Sequence, residues 1–199
     1  MPKFKIRPQL DFSFETCGAG LFDYHHSMNS LNINGSIFIA GPPCSGKSTT
    51  GKLLALKLDL PFRDLDTIIE VTASKSIPDI FSQFREEGFR RLESEALTSL
   101  LSTPERVVVA LGGGCLLENS NLISVRKKGI LITLTASDDE LLKRRIAQKG
   151  NRPLAEDDTA FIELLKNRRE HYNSLPNRID TSDITPAETV LRIISILGS

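Results

Sequence analysis

The sequence has no tryptophan, only three cysteines and no excess of either charge, with 25 Lys plus Arg against 25 Asp plus Glu in 199 residues. Zero net charge removes the long-range field with which a nucleic-acid or anionic-membrane binder attracts its partner. Cys17, Cys44 and Cys115 are odd in number and unpatterned, which suits free thiols in a reducing compartment and not a disulfide framework or a zinc site. No apolar run approaches the roughly 18 residues that span a bilayer; residues 107–111 are typical of what exists. What is present, 40% hydrophobic and 25% charged residues, describes an ordinary globular domain with room for a real core. The expectation is a cytoplasmic enzyme without nucleic-acid or membrane partners.

Residues 1–36 differ from the rest, with scattered aromatics, several Asn and Gly, and no sustained period. They read as a poorly ordered N-terminal extension. Lys3, Lys5 and Arg7 supply only the basic start of a secretory signal, and Asp11, Glu15 and Asp23 argue against a transit peptide. Met28 is an alternative start.

From Ile37 short apolar runs alternate with amphipathic stretches. Strands are expected at 37–40, 61–66, 107–111, 130–134 and near Ile179. Helices are expected from about Gly46 with Leu53, Leu54 and Leu58 on one side, at 77–81, from Glu86 to about Leu101, and at 138–148, 159–173 and 186–197. Such alternation implies a mainly parallel sheet covered on both faces, an α/β fold of three layers. Ligands then belong at the carboxyl ends of the strands.

Gly41-Pro42-Pro43-Cys44-Ser45-Gly46-Lys47-Ser48 fits G-x-x-x-x-G-K-[ST] in full, directly after a strand and before a helix. Glycines let the backbone wrap closely enough for N–H groups to point at phosphate oxygens, and the following helix adds its unpaired N–H groups and positive dipole end. Lys47 would reach the β- and γ-phosphates, the Ser48 hydroxyl would ligate Mg²⁺, and Thr49 completes the loop. A chance match in this length is about one in a hundred. The chain therefore reads as a nucleoside-triphosphate-binding protein. A GTP switch protein would need a late guanine-reading Lys-x-Asp, and the only such triplet, Lys57-Leu58-Asp59, lies in the first helix. The apolar strand at 107–111 runs into glycines and not into a magnesium-binding acid, as in small-molecule kinases.

The acceptor side is sought among the remaining charged pairs. Asp64 and Asp66 are two apart at the end of an extended run, so their side chains would share a face and suit Mg²⁺ and a substrate hydroxyl. Arg90 and Glu93 are three apart on a helix and share a face; Arg168 and Arg169 lie on a later helix. Guanidinium groups suit bidentate grip on a carboxylate. Residues 149–158 are polar and turn-rich between two helices, the composition of a mobile lid that would exclude competing water. His171 and the pair His25-His26 read as solvated side chains.

These motifs, taken in order, resemble the shikimate kinases over about residues 36–178. The resemblance rests on Gly41 to Ser48, Asp64-Leu65-Asp66, Ser76-Ile77-Pro78-Asp79-Ile80-Phe81, Gly88-Phe89-Arg90-Arg91-Leu92-Glu93, Gly112-Gly113-Gly114-Cys115 and Asn151-Arg152-Pro153-Leu154. It implies a P-loop kinase domain over 37–199 that phosphorylates shikimate with ATP and Mg²⁺, as a monomer. It implies that Asp66 binds the acceptor hydroxyls and serves as base, and that Arg90 and Arg168 grip the carboxylate with Glu93 orienting Arg90. Gly112, Gly113 and Gly114 would approach the ring, and Asp64 would act on Mg²⁺ with Ser48. Lys47 and Arg152 would act on the phosphates, Arg152 from the lid, and Arg145 would pack near the adenine. Three departures stand out: Glu170-His171 precede Tyr172 where the family commonly has Pro-Leu, leaving Arg168 and Arg169 as rivals, and Ser74 and Arg85 stand where it often has glycine. The alternatives are a related kinase for another polyol such as gluconate, or a catalytically silent nucleotide-binding module.

Overall fold

Ile37, Phe38 and Ile39 are all fully buried, a run without alternation that only a strand covered on both faces can accommodate. The computed structural model describes residues 35–147 and 158–198. Its strands are β1 (Ser36–Ala40), β2 (Phe62–Asp64), β3 (Val108–Ala110), β4 (Gly129–Thr135) and β5 (Arg178–Asp180). They form one sheet in the order β2-β3-β1-β4-β5, every neighbouring pair parallel. β1 is central, with Ile37 level with Val108 on one side and Ile130 on the other.

The helices are α1 (Lys47–Leu58), α2 (Leu65–Ala73), α3 (Ile77–Ser102), α4 (Asn119–Lys128), α5 (Asp138–Ala147), α6 (Asp158–Ser174) and α7 (Pro186–Leu197). Phe38 and Val109 point into a core built with Leu65 and Ile69 of α2, Ile80, Phe89 and Leu97 of α3, and Val125 of α4. Ile39 lies on the other face, against Gly51 of α1, and α1 packs on α7 there. The three-layer arrangement is therefore as expected. Helix starts follow the local chemistry. Thr185 and Glu188 form a reciprocal capping box at α7 with Pro186 in its first turn, and Ser76 caps α3.

Four details differ from the sequence reading. The buried stripe of α1 is Thr50, Gly51, Leu54 and Ala55, with Leu53 39% exposed. Small residues let this helix lie close on the sheet, and a rotation of about 100° per residue turns Leu53 outward. The extended run ends at Asp64, where α2 begins, and α4 occupies a stretch for which no helix was expected. The two helices expected at 77–81 and from Glu86 are, by contrast, both present within α3, separated at Arg85, whose φ of 57° and ψ of −172° are not helical. Ser36 is already the first residue of β1; the rest of the expected extension, to residue 34, lies outside the described residues with Cys17 and His25-His26.

Candidate active site

The carboxyl ends of β1, β2 and β3 open on the same side of the sheet, and three loops meet there. After β1, Gly41 has a φ of 144° and lies so near β4 that a Cβ would come 2.2 Å from the Leu134 carbonyl oxygen; only glycine fits. α1 then starts at Gly46 with no side-chain cap and no acidic residue in its first turn, which leaves its terminal N–H groups to a phosphate. The Lys47 ammonium is buried and donates to the carbonyls of Gly41 (3.0 Å) and Pro42 (2.8 Å). Pro43, Cys44 and Ser45 complete the turn and Thr49 lies in the first turn of α1; Cys44 is buried with Leu141, Phe161 and Leu165.

After β2, the sequence pair Asp64 and Asp66 takes a geometry other than the expected extended one. Asp64 is the N-cap of α2: one carboxylate oxygen accepts from the Asp66 N–H (3.1 Å) and the other from the Ser48 hydroxyl (2.6 Å). Asp66 lies in the first helical turn. The two acids are thus separated by a cap and not by strand alternation, because a capping carboxylate favours helix from the next residue. Both still reach one cleft: Asp64 on the phosphate-loop side with Ser48, and Asp66 beside Gly112, whose Cβ would stand 3.1 Å from an Asp66 oxygen.

After β3, the triple glycine fits under α3. A Cβ on Gly112 would come 2.2 Å from Glu93 Oε1, and one on Gly114 would come 2.5 Å from the Arg90 guanidinium. The Tyr172 hydroxyl donates to the Gly113 carbonyl. These contacts seat the glycine backbone against Arg90, Glu93 and Asp66. Together the loops and α3 line a cleft of about 560 Å³ that includes Ser48, Asp64, Asp66, Arg90, Glu93 and the glycines.

The electrostatics of the cleft centre on Arg90. Its guanidinium gives one bond to Glu93 Oε2 (2.6 Å) and two to Glu86 Oε1 (3.1 and 3.3 Å), and lies 5.1 Å from the Phe89 ring centroid. Burial works to lower its pKa, but the two carboxylates more than offset this and hold it above the ordinary arginine value. Glu93 is 1% exposed and its Oε1 has no hydrogen-bond partner. Burial raises its pKa above that of an ordinary carboxylate and Asp66 adds to the effect, with Arg90 opposing. Cys115 is fully buried nearby, and burial, then Glu93, pushes its thiol well above the usual range.

Arg168 and Arg169 separate cleanly. Arg168 is buried on α6, 3.8 Å from Glu86 Oε1, whereas Arg169 is exposed and pairs with Asp138. Arg145 sits over the Phe161 ring, 4.7 Å from its centroid, with Nε 3.4 Å from Asp158, at the edge of the same cleft. His171, expected to be solvated, is half-buried against Tyr172, and burial followed by Arg168 lowers its pKa. Arg152 and residues 149–157 of the expected lid lie outside the described residues. Three contributors had gone unassigned: Glu86, Tyr172 and Asn121. Glu86 stands four before Arg90 and Tyr172 four after Arg168, spacings that share a helix face. Asn121, which donates to the Cys115 carbonyl (3.0 Å) and the Ser94 hydroxyl (3.1 Å), has no such signal.

Comparison with known proteins agrees with this geometry. The family model described as shikimate kinase matches residues 43–197. A shikimate kinase of Thermodesulfovibrio yellowstonii is 36% identical over 162 residues, covering 80% of this chain and 92% of the relative. One from Salinibacter ruber is 37% identical over 172 residues, covering 81% and 83%. Among solved structures, a shikimate kinase from Acinetobacter baumannii in complex with shikimate superposes with a TM-score of 0.78 at 29% identity, covering 85% of this chain and 96% of that one. A gluconokinase from Sinorhizobium meliloti shares the fold, with a TM-score of 0.55 at 18% identity, over 83% and 92% of the chains. With a phosphate loop, a capping Asp64 and a glycine turn seated under Arg90 in one cleft, and with relatives matched across most of its length, the chain belongs to the shikimate kinase family.

Proposed function

We propose that the chain transfers the γ-phosphoryl group of ATP to a hydroxyl of shikimate, giving shikimate 3-phosphate and ADP on the route to aromatic amino acids. The observation that carries this reading is the placement of Arg90 in the cleft that also holds Asp66, Pro43 and Ser48, with Arg168 3.8 Å from the same Glu86 oxygen that Arg90 engages. Paired guanidinium groups fit a carboxylate, and the Asp66 carboxylate on the same cleft fits a ring hydroxyl.

Phosphoryl transfer depends on positioning and charge neutralisation. In this reading Asp66 accepts the proton of the attacking hydroxyl, at the end of the cleft nearest the glycine turn. Lys47 exchanges its two loop carbonyls for phosphate oxygens, a swap of neutral for charged acceptors that favours the bound state. The buried Glu93 holds the Arg90 guanidinium, so less of its rotamer freedom is lost when substrate binds. The glycine backbone seats the ring, and Arg152 and Arg145 complete the nucleotide side.

The Ser48 hydroxyl and Asp64 carboxylate, 2.6 Å apart, are hard oxygen donors and fit Mg²⁺. Among the described residues no three His, Cys, Asp or Glu side chains form a metal cage, which suits an ion held by one or two protein groups plus phosphates. When bound, Mg²⁺ neutralises the developing phosphate charge. We further assign a monomeric, cytoplasmic protein without nucleic-acid or membrane partners, a reading supported by the zero net charge and the sparse, odd set of cysteines.

A coupled ADP-release assay with Mg-ATP and shikimate, gluconate or no acceptor tests the reading. Shikimate-dependent release is expected. Release with gluconate alone would reassign the acceptor pocket, and ATP binding without acceptor-dependent release would make the chain a silent nucleotide-binding module.

A further inference from the structure

One carboxylate oxygen joins the two arginines of the acceptor side. Glu86 Oε1 accepts from Arg90 Nη2 (3.1 Å) and Nε (3.3 Å) and lies 3.8 Å from Arg168 Nη2. Arg90 and Glu86 come from α3 and Arg168 from α6, so the contact spans two helices. The exposures are unequal: the side chain of Glu86 is 58% exposed, and those of Arg90 and Arg168 are 22% and 9% exposed. Arg168 Nη1 is buried without a hydrogen-bond partner. A desolvated guanidinium donor left unpaired costs free energy until an acceptor arrives. Glu86 leaves that donor unmet.

We infer that Glu86 is a specificity-determining residue that stands in for the acceptor's carboxylate, holding Arg90 and Arg168 until an incoming carboxylate displaces it. The inference rests on the proposed function. An arriving carboxylate brings two oxygens and about four lone pairs, enough to take over the bonds made by Glu86 Oε1 and to satisfy Arg168 Nη1 as well. A neutral polyol brings no charge with which to displace Glu86. The half-exposed anion therefore acts as a filter: it weakens every acceptor, and least those that carry their own carboxylate. Its exposure lets it swing into water, where its charge is resolvated.

The test is steady-state kinetics of the full chain and of its Glu86→Gln and Glu86→Ala variants, with KM measured separately for shikimate and for ATP. Gln keeps the size without the charge, and Ala removes the side chain. Loss of an exposed competing ion pair should lower the shikimate KM by about threefold in both variants, with the ATP KM as the unmoved reference. A shikimate KM that rises, or stays the same, in either variant overturns the inference, because a residue that merely positions the arginines would weaken binding when removed. Absence of shikimate-dependent turnover in the parent chain would instead overturn the function itself, so the two failures are distinct.

Discussion

Replacing Arg85 by glycine should stabilise the protein, although glycine inside a helix normally does the reverse. Arg85 interrupts α3 with φ 57° and ψ −172°, a region that is essentially reserved for glycine because a Cβ there collides with its own backbone. Holding a side chain in such a conformation costs about 1–3 kcal/mol. Glycine would remove that strain and lose about 0.5–1 kcal/mol through its greater freedom in the unfolded chain. The balance is a gain of up to about 2.5 kcal/mol. In a domain of this size each kcal/mol moves Tm by about 2–4 °C. Arg85 is exposed, so its side chain adds little packing to the balance. Arg85→Ala supplies the control: it removes the guanidinium and keeps the Cβ, and so keeps the strain. Thermal unfolding by circular dichroism and urea unfolding at fixed protein concentration would be compared for the three proteins. Glycine above alanine, with an unchanged urea slope, is the expected order. Glycine equal to or below alanine would refute the strain argument.

Other consequences can be checked in the same preparations. Arg90→Ala should raise the shikimate KM roughly ten- to hundredfold, the equivalent of losing charged hydrogen bonds worth about 1.5–3 kcal/mol, with little change for ATP; equal effects on both would make Arg90 a structural residue. Asp66→Asn should depress kcat by roughly 10²- to 10⁴-fold with nucleotide binding retained, the usual size of a general-base contribution, measured by single-turnover kinetics and ADP titration. Gly112→Ala would drive a Cβ to 2.2 Å from the buried Glu93 Oε1, so about 1–3 kcal/mol of stability should be lost, together with shikimate affinity, as urea unfolding and KM would show. Cys115 should resist iodoacetamide in the native protein at pH 8 and react after denaturation, followed by mass spectrometry of its peptide. Its thiol is raised by burial, so above about pH 8.5 the unfolded chain releases this proton and the folded chain keeps it. Stability should therefore fall as pH rises there, by up to about 1.4 kcal/mol per pH unit.

Strongly local features were legible from the chain alone. The phosphate loop, the parallel α/β alternation and the helix at 186–197 follow from residue spacing, glycine content and the Thr185–Glu188 cap, all of which act within a few residues. The resemblance also carried a physical message at Ser74 and Arg85, where glycine is common: φ is 50° and 57° there, positions whose backbone favours a residue without a Cβ. Helix 119–128 was missed because its apolar stripe is thin, with Asn121 and Val125 its only buried residues. The Asp64 and Asp66 pair was read as strand because two-residue spacing fits strand alternation, whereas capping by Asp64 starts a helix instead.

The chemistry of the cleft was thus set by residue types that the sequence displays, a Gly-rich loop with Lys47 and Ser48, two acids and an arginine-bearing helix, since those groups bind phosphate, hydroxyl and carboxylate wherever they are placed. Which of them meet was decided only by folding. Arg168 and not Arg169 faces Arg90, because α6 buries one and turns the other toward Asp138. Glu86 joins the two arginines because the break at Arg85 precedes it and α6 lies alongside. Contacts between helices distant in sequence depend on how the sheet seats them, and no local periodicity encodes that distance.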